Sequence, residues 1–235
     1  MRVKMKILFI GNSHTYMNDM PKLVSDMVEN STRQLCEVFM LAYSGRSLKW
    51  HMAEEYFSER FNILYGHYDY CVIQEQAHPM TDESDTITYT NGIIKLCKKA
   101  NTKPVIFETW AEKDKPENQV EMNRRYRKLA DDSGAILAPI GEVWAAVLSS
   151  LPSSRDEDLY FRDGEHASAI GDYLIAMVLT KTITGRLPDQ DFLKALDFSG
   201  QDDSWIPANE DTDGELIRVS PETAAVIRKK VIDLV

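Results

Sequence analysis

Five short apolar runs of β-type composition alternate with helical patterns along this chain, and that alternation restricts its fold more than any other feature. The runs are Lys6–Ile10, Glu37–Ala42, Tyr70–Ile73, Pro104–Phe107 and Ala135–Ala138. Strands separated by helices imply a five-stranded parallel sheet with helices on both faces and right-handed crossovers. In such sheets ligands bind at the carboxyl ends of the strands. Ser13, the Tyr43–Arg46 turn, Gln74–His78 and Glu108–Ala111 all fall at those ends.

The helical segments carry their own punctuation. Asp19 before Pro21 opens one, with Leu23, Val24, Met27 and Val28 on a single face. Others are expected over Leu48–Leu64, Asp85–Ala100 and Glu117–Asp132, the last closed by Gly134 as a C-terminal glycine closes a helix. A long amphipathic run covers Ser168–Thr184. Residues 198–216 are acidic and rich in Gly, Ser, Pro and Asn, which reads as a surface loop. Ser220 and Pro221 then start a final helix to about Leu234. With 235 residues and no internal repeat, one domain suffices: a core over about residues 5–185 and a C-terminal appendage over 186–235.

Composition narrows the partners. A formal net charge of −10 disfavours nucleic acid and anionic membranes, which need a basic face, but leaves neutral substrates open. Cys36, Cys71 and Cys97 cannot build a disulfide framework and are expected to be reduced and buried. Positive charge precedes an apolar stretch at the N-terminus, but Ile7–Ile10 is shorter than the roughly 7–15 residues of a secretory h-region. No run reaches the roughly 18 apolar residues of a membrane span. The expectation is a cytoplasmic protein. His14, His67 and His78 show no metal-ligand spacing with one another or with a cysteine, so a zinc site is not expected. His51, after Trp50 on a helical stretch, reads as a packed or surface residue.

Two separated motifs carry chemistry. Gly11-Asn12-Ser13 delivers a serine into the turn after the first strand, and Asp163-Gly164-Glu165-His166 precedes the long helical run. A serine hydroxyl is a weak nucleophile until an imidazole takes its proton, and that imidazole needs an acid to fix its tautomer. Taken alone, Ser13 is an ordinary turn or capping residue; the pairing with Asp163 and His166 makes it a candidate nucleophile. The common Gly-x-Ser-x-Gly elbow is not matched, because Thr15 replaces its last glycine. An acid and base three residues apart also differ from the usual α/β-hydrolase order.

Gly11-Asn12-Ser13, the Gly45 turn, the polar turn after the third strand and Asp163-x-x-His166 together resemble the SGNH (GDSL-type) hydrolases over about residues 5–185. The likeness is greatest to a bacterial branch with Gly-Asn-Ser in block one and Gln-Glu-Gln at the third strand, here Gln74-Glu75-Gln76. The resemblance implies a three-layer α/β/α, flavodoxin-like fold and ester hydrolysis through an acyl-serine. It implies Ser13 as nucleophile and oxyanion donor, His166 as general base, Asp163 as its orienting acid and Gly45 as second oxyanion donor. A glycine at 45 lets the backbone approach the oxyanion, although a plain turn glycine would look the same. The usual third-block Gly-x-Asn-Asp is missing, and His78-Pro79 stands where Asn is expected. A Gln amide can donate the same bond, so Gln76, or failing that Gln74, is the expected substitute. Asn12 and Trp110 are weaker candidates for contacting substrate; Trp at a strand end is as often core.

The expected activity is hydrolysis of small acyl esters, with O-acetylated carbohydrate as the candidate substrate. Rival readings are an acyltransferase that passes the acyl group to a sugar, and a non-catalytic carbohydrate-binding module. Oligomeric state is not readable from this sequence.

Overall fold

The computed structural model of the chain describes residues 4–53, 57–77, 83–151, 158–190 and 219–235. Its centre is a sheet of β1 (Lys4–Gly11), β2 (Leu35–Ala42), β3 (Tyr70–Gln74), β4 (Lys103–Phe107) and β5 (Ile136–Ala138). The order is β2-β1-β3-β4-β5 and every pairing is parallel. The chain leaves β1 toward β2 on one side and returns to β3 on the other. That reversal opens a crevice over the carboxyl end of β1.

The strands bury both faces, so their sequences are continuous apolar runs rather than alternating ones. Side-chain parity splits the core in two. Ile7, Phe9, Val72, Val105 and Phe107 face one helical layer, and Leu8, Ile10, Cys71, Ile73 and Ile106 face the other. The first layer contains α2 (Met20–Thr32), α7 (Ile140–Leu148), α8 (Ala169–Thr184) and α9 (Pro221–Leu234); the second contains α3 (Leu48–His51), α4 (Phe57–Tyr65), α5 (Glu83–Lys99) and α6 (Asn118–Ser133). This is the three-layer α/β/α sandwich expected from the alternation. Thirteen residues of α8 are buried, on all sides of the helix rather than along the single face expected of an amphipathic run. Ile227 and Val231 of α9 are wholly buried in the same layer.

Several boundaries differ from the sequence reading. The single helix expected over Leu48–Leu64 is two helices, α3 ending at His51 and α4 beginning at Phe57. A four-residue helix, α1 (Ser13–Tyr16), and a 3-10 turn over Met17–Asp19 precede α2. Asp19 is the residue before α2 but makes no side-chain cap; it sits at φ +53°, and Pro21 supplies the start signal. Helix α7 was not anticipated. Gly134 and Ser220 cap as expected, and the three cysteines are free and buried. His78 and the loop expected over 198–216 lie outside the described residues.

Candidate active site

The site is built from the elbow upward. Gly11 ends β1, and Asn12 caps α1 by accepting the His14 N–H on its side-chain oxygen at 3.1 Å. Ser13 is therefore the first residue of a short helix, 8% exposed, with its hydroxyl at the carboxyl edge of the sheet. Beneath the turn, Gln74 Oε1 accepts the Asn12 N–H at 2.9 Å and the Thr15 hydroxyl at 2.8 Å. That amide fills the space a side chain on residue 11 would need: a Cβ on Gly11 would lie 2.4 Å from Gln74 Oε1 and 2.4 Å from Thr15 Oγ1. The glycine is required here by close approach.

The opposite arm lies between α7 and α8. Ser13 Oγ is 2.9 Å from His166 Nε2, and His166 Nδ1 is 2.7 Å from Asp163 Oδ2. The Asp163 carboxylate accepts only, so it holds the proton on Nδ1 and leaves Nε2 free to accept from the serine hydroxyl. Its other oxygen accepts the backbone N–H groups of Glu165 at 2.9 Å and His166 at 3.0 Å. Partial burial pushes the Asp163 carboxyl up, but those two N–H groups and the His166 ring outweigh it and hold it below its ordinary value. The arm is anchored from several sides. Trp110 Nε1 donates to Glu165 O, Lys113 N to Gly164 O, and Phe161 N to His166 O, all within 2.8–2.9 Å. Ser168 caps α8 directly after it, accepting from Ile170 N and Gly171 N.

His166 also rests on an aromatic column. The His14 ring stacks on it with centroids 4.3 Å apart and planes 10° from parallel. Trp110 meets His14 edge-on at 5.4 Å and stacks on Trp144 at 4.3 Å.

Opposite this arm runs the Tyr43–Ser47 loop after β2. Gly45 sits at φ +67°, a left-handed conformation that L side chains rarely adopt, while a Cβ there would meet nothing within 4 Å. The backbone angle alone therefore accounts for a glycine at this position. Its N–H has no acceptor among the described residues. The loop is tied to the elbow twice, by Tyr43 N to Gly11 O at 3.1 Å and by Asn12 Nδ2 to Arg46 O at 3.2 Å.

Ser13, His166, Gly45, Gln76, Glu112 and Glu165 are among the residues that line one open cleft of about 280 Å³. The structure thus brings together Ser13, Asp163, His166, Gly45 and Gln76. Gln74 is a correction: it is wholly buried, its oxygen is committed to the elbow, and its amide N–H donates to Glu75 O, so it does not face the cleft. Trp110 is another, since it is fully buried in the core and supports the His166 arm rather than walling a pocket. Asn12 reaches the cleft, but its side chain is spent on the His14 N–H and Arg46 O. His14 and Glu75 were missed. The only local signal for either was adjacency to a candidate residue.

No protein-family profile matches the sequence, and no curated protein matches it. Solved structures do match. The lipase/acylhydrolase from Enterococcus faecalis superimposes with a TM-score of 0.59 at 14% identity, over 79% of this chain and 99% of that one. The psychrotrophic esterase EstA from Pseudoalteromonas sp., in a structure inhibited by monoethylphosphonate, gives 0.55 at 15% identity over 77% and 97%. A member of the lipolytic protein G-D-S-L family from Veillonella parvula gives 0.53 at 12% identity over 77% and 97%. The chain is thus built on the three-layer fold that these lipolytic and esterolytic proteins share.

Proposed function

We propose that this protein is a serine ester hydrolase acting on small acyl esters. The observation that carries the reading is the continuous chain from Ser13 Oγ through His166 to Asp163, with links of 2.9 and 2.7 Å, at the strand-order reversal of the sheet. Its likeness in fold to esterases and acylhydrolases adds support.

The chemistry follows from the geometry. Ser13 Oγ attacks the ester carbonyl as His166 Nε2 takes its proton, and Asp163 stabilises the imidazolium. Charge then develops on the carbonyl oxygen. The candidate donors are the Ser13 and Gly45 N–H groups and the Gln76 side-chain amide, which approach from three strand ends. The imidazolium returns its proton to the departing alcohol. Water, deprotonated by the same imidazole, attacks the acyl-serine and releases the acid. No step in this sequence requires a cofactor.

The cleft favours short acyl groups. It is open, of about 280 Å³, and bordered by Glu112, Glu165 and Gln76, a charged and polar border that suits a short acyl group. O-acetylated carbohydrate suits such a polar rim. Among the described residues no helix is long and apolar enough to cross a membrane.

The test is turnover of acetyl, butyryl and long-chain chromogenic esters and of acetylated sugars, with and without a sugar acceptor. A phosphonate should label the protein once, at Ser13, and Ser13→Ala should lose nearly all turnover. An adduct on another serine, or normal turnover by the Ala variant, refutes the assignment.

A further inference from the structure

Glu75 is a buried carboxylate that the mechanism above does not use. It follows β3 directly, is 6% exposed, and lies between the two candidate oxyanion arms. Its Oε1 accepts the Leu48 N–H at 3.0 Å and the Gln76 N–H at 2.6 Å. Leu48 is three residues beyond Gly45, at the end of the loop whose other ties run to Gly11 and Asn12. One oxygen therefore joins the Gly45 loop to the Gln76 segment. With the Gln76 backbone N–H committed there, only its side-chain amide remains to serve the cleft.

Burying a carboxylate is costly, and a neutral turn could satisfy one free N–H at the start of a four-residue helix more cheaply. Burial pushes this carboxyl above its ordinary value, opposed by the Gln76 and Leu48 N–H groups and by His51 nearby. His51 is itself wholly buried. Its Nε2 lies 2.8 Å from Gly11 O, the last carbonyl of the strand that carries the nucleophile, and its Nδ1 lies 2.8 Å from Glu59. The polar groups buried beneath the loop thus converge on the elbow and the two arms. Charged acceptors make shorter, stiffer hydrogen bonds than neutral ones, which suits a joint that must hold a spacing.

We propose that Glu75 is a positioning residue that sets the span of the oxyanion hole by clamping the Gly45 loop to the Gln76 segment. It acts through those donors and does not itself touch substrate; the proposal rests on the ester-hydrolase reading. The gap between the donors matters because stabilisation of a developing oxyanion depends on geometry held before reaction, and a misplacement of about 1 Å can cost on the order of a hundredfold in rate.

The experiment compares wild type, Glu75→Ala, Glu75→Asp and Glu75→Gln at equal folded concentration, reading kcat and KM for a short acyl ester, the rate of phosphonate labelling, and the urea midpoint. Glu75→Ala should lower kcat and phosphonate labelling by about ten- to a hundredfold with KM little changed. Glu75→Asp keeps the charge but is one methylene too short to reach both N–H groups, and should fall in the same direction; it carries the test if the Ala variant does not fold. Glu75→Gln keeps an acceptor oxygen at the same reach but loses the charge, and should recover most of the wild-type kcat while remaining above the Ala and Asp variants. Normal kcat in the Ala and Asp variants, or a loss confined to KM or to the urea midpoint, overturns the clamp while leaving the hydrolase standing. A wild-type protein that neither turns over esters nor takes the phosphonate overturns the hydrolase reading, and the clamp's catalytic role with it.

Discussion

The two glutamines after β3 should fail in opposite ways when replaced. Gln74→Leu keeps nearly the same volume, so it opens no large cavity, but it removes the acceptor for Asn12 N–H and Thr15 Oγ1. Both residues are buried, 2% and 1% exposed, so neither orphaned donor can turn to water. Each unsatisfied buried donor costs about 1–3 kcal/mol. The Thr15 hydroxyl can rotate in search of another acceptor, which places the total at about 3 kcal/mol rather than at the upper limit. Loss of the bond to Glu75 O adds little, since an under-satisfied carbonyl is tolerated better than an orphaned N–H. Against a typical stability of about 5–15 kcal/mol this is a large fraction. In urea it should appear as a lower midpoint at unchanged slope. Gln76 is exposed, so Gln76→Ala should change stability by less than about 0.5 kcal/mol. It should instead lower kcat by about two to three orders of magnitude, with KM preserved, as loss of an oxyanion donor does. A Gln74→Leu protein destabilised by less than about 1 kcal/mol would refute the claim that its amide holds the elbow. Normal kcat in Gln76→Ala would remove glutamine from the oxyanion hole.

Asp163→Asn should lower kcat by no more than His166→Ala does, because the acid orients and stabilises the imidazole without reacting; the double variant should cost little more than the worse single one, and additive losses in rate measurements would separate the two residues. Gly45→Ala meets no clash but forces a left-handed φ, so it should cost about 1 kcal/mol of stability and shift the adjacent N–H enough to lower kcat; an unchanged kcat would remove that N–H from the site. Burial pushes Glu108 up to about 8, opposed by the Glu142 N–H. The folded state therefore holds this proton more tightly than the unfolded chain. Its contribution to stability is full below the ordinary carboxyl range and is lost as pH rises through about 8. Glu108→Gln, neutral throughout, should flatten that decline in urea titrations taken from pH 5 to 9; an unchanged slope refutes the assignment.

Much of this architecture is legible in the sequence because burial on both faces writes each strand as an apolar run. The site is partly legible for the same reason: parallel topology forces the residues after β1, β2 and β3 to one edge. What was not legible depends on contacts across the chain. Gln74 and Gln76 share strand parity, and parity alone points both to one face. But β3 stops at Gln74, and beyond it the two-residue period no longer governs direction. Trp110 follows β4 at a position where a wall and a core residue look alike; only the stack on Trp144 and the bond to Glu165 O distinguish them. His14 stacks on His166 from the far end of the chain, which no local pattern announces. Helix α7 was readable in principle, since Ile140, Val143, Trp144 and Val147 have helical spacing, but Pro139 and Gly141 at its start imitate a loop.

The two arms of the cleft differ in how much freedom they retain. Behind His166 stands α8, buried on nearly every side, and in front of it the backbone is pinned by Trp110 and Lys113. Displacing the His166 ring would mean displacing the core, so this side of the cleft is a fixed jaw. Across the gap, a side chain on Gly45 would meet nothing within 4 Å, and Tyr43, Ser44 and Arg46 beside it are exposed. On the ester-hydrolase reading, discrimination among alcohols or acyl groups falls to the side chains on this loop, with its backbone held by its ties. An engineer wishing to retune selectivity can vary the exposed side chains of Tyr43, Ser44 and Arg46 while keeping Gly45 and the ties that hold it.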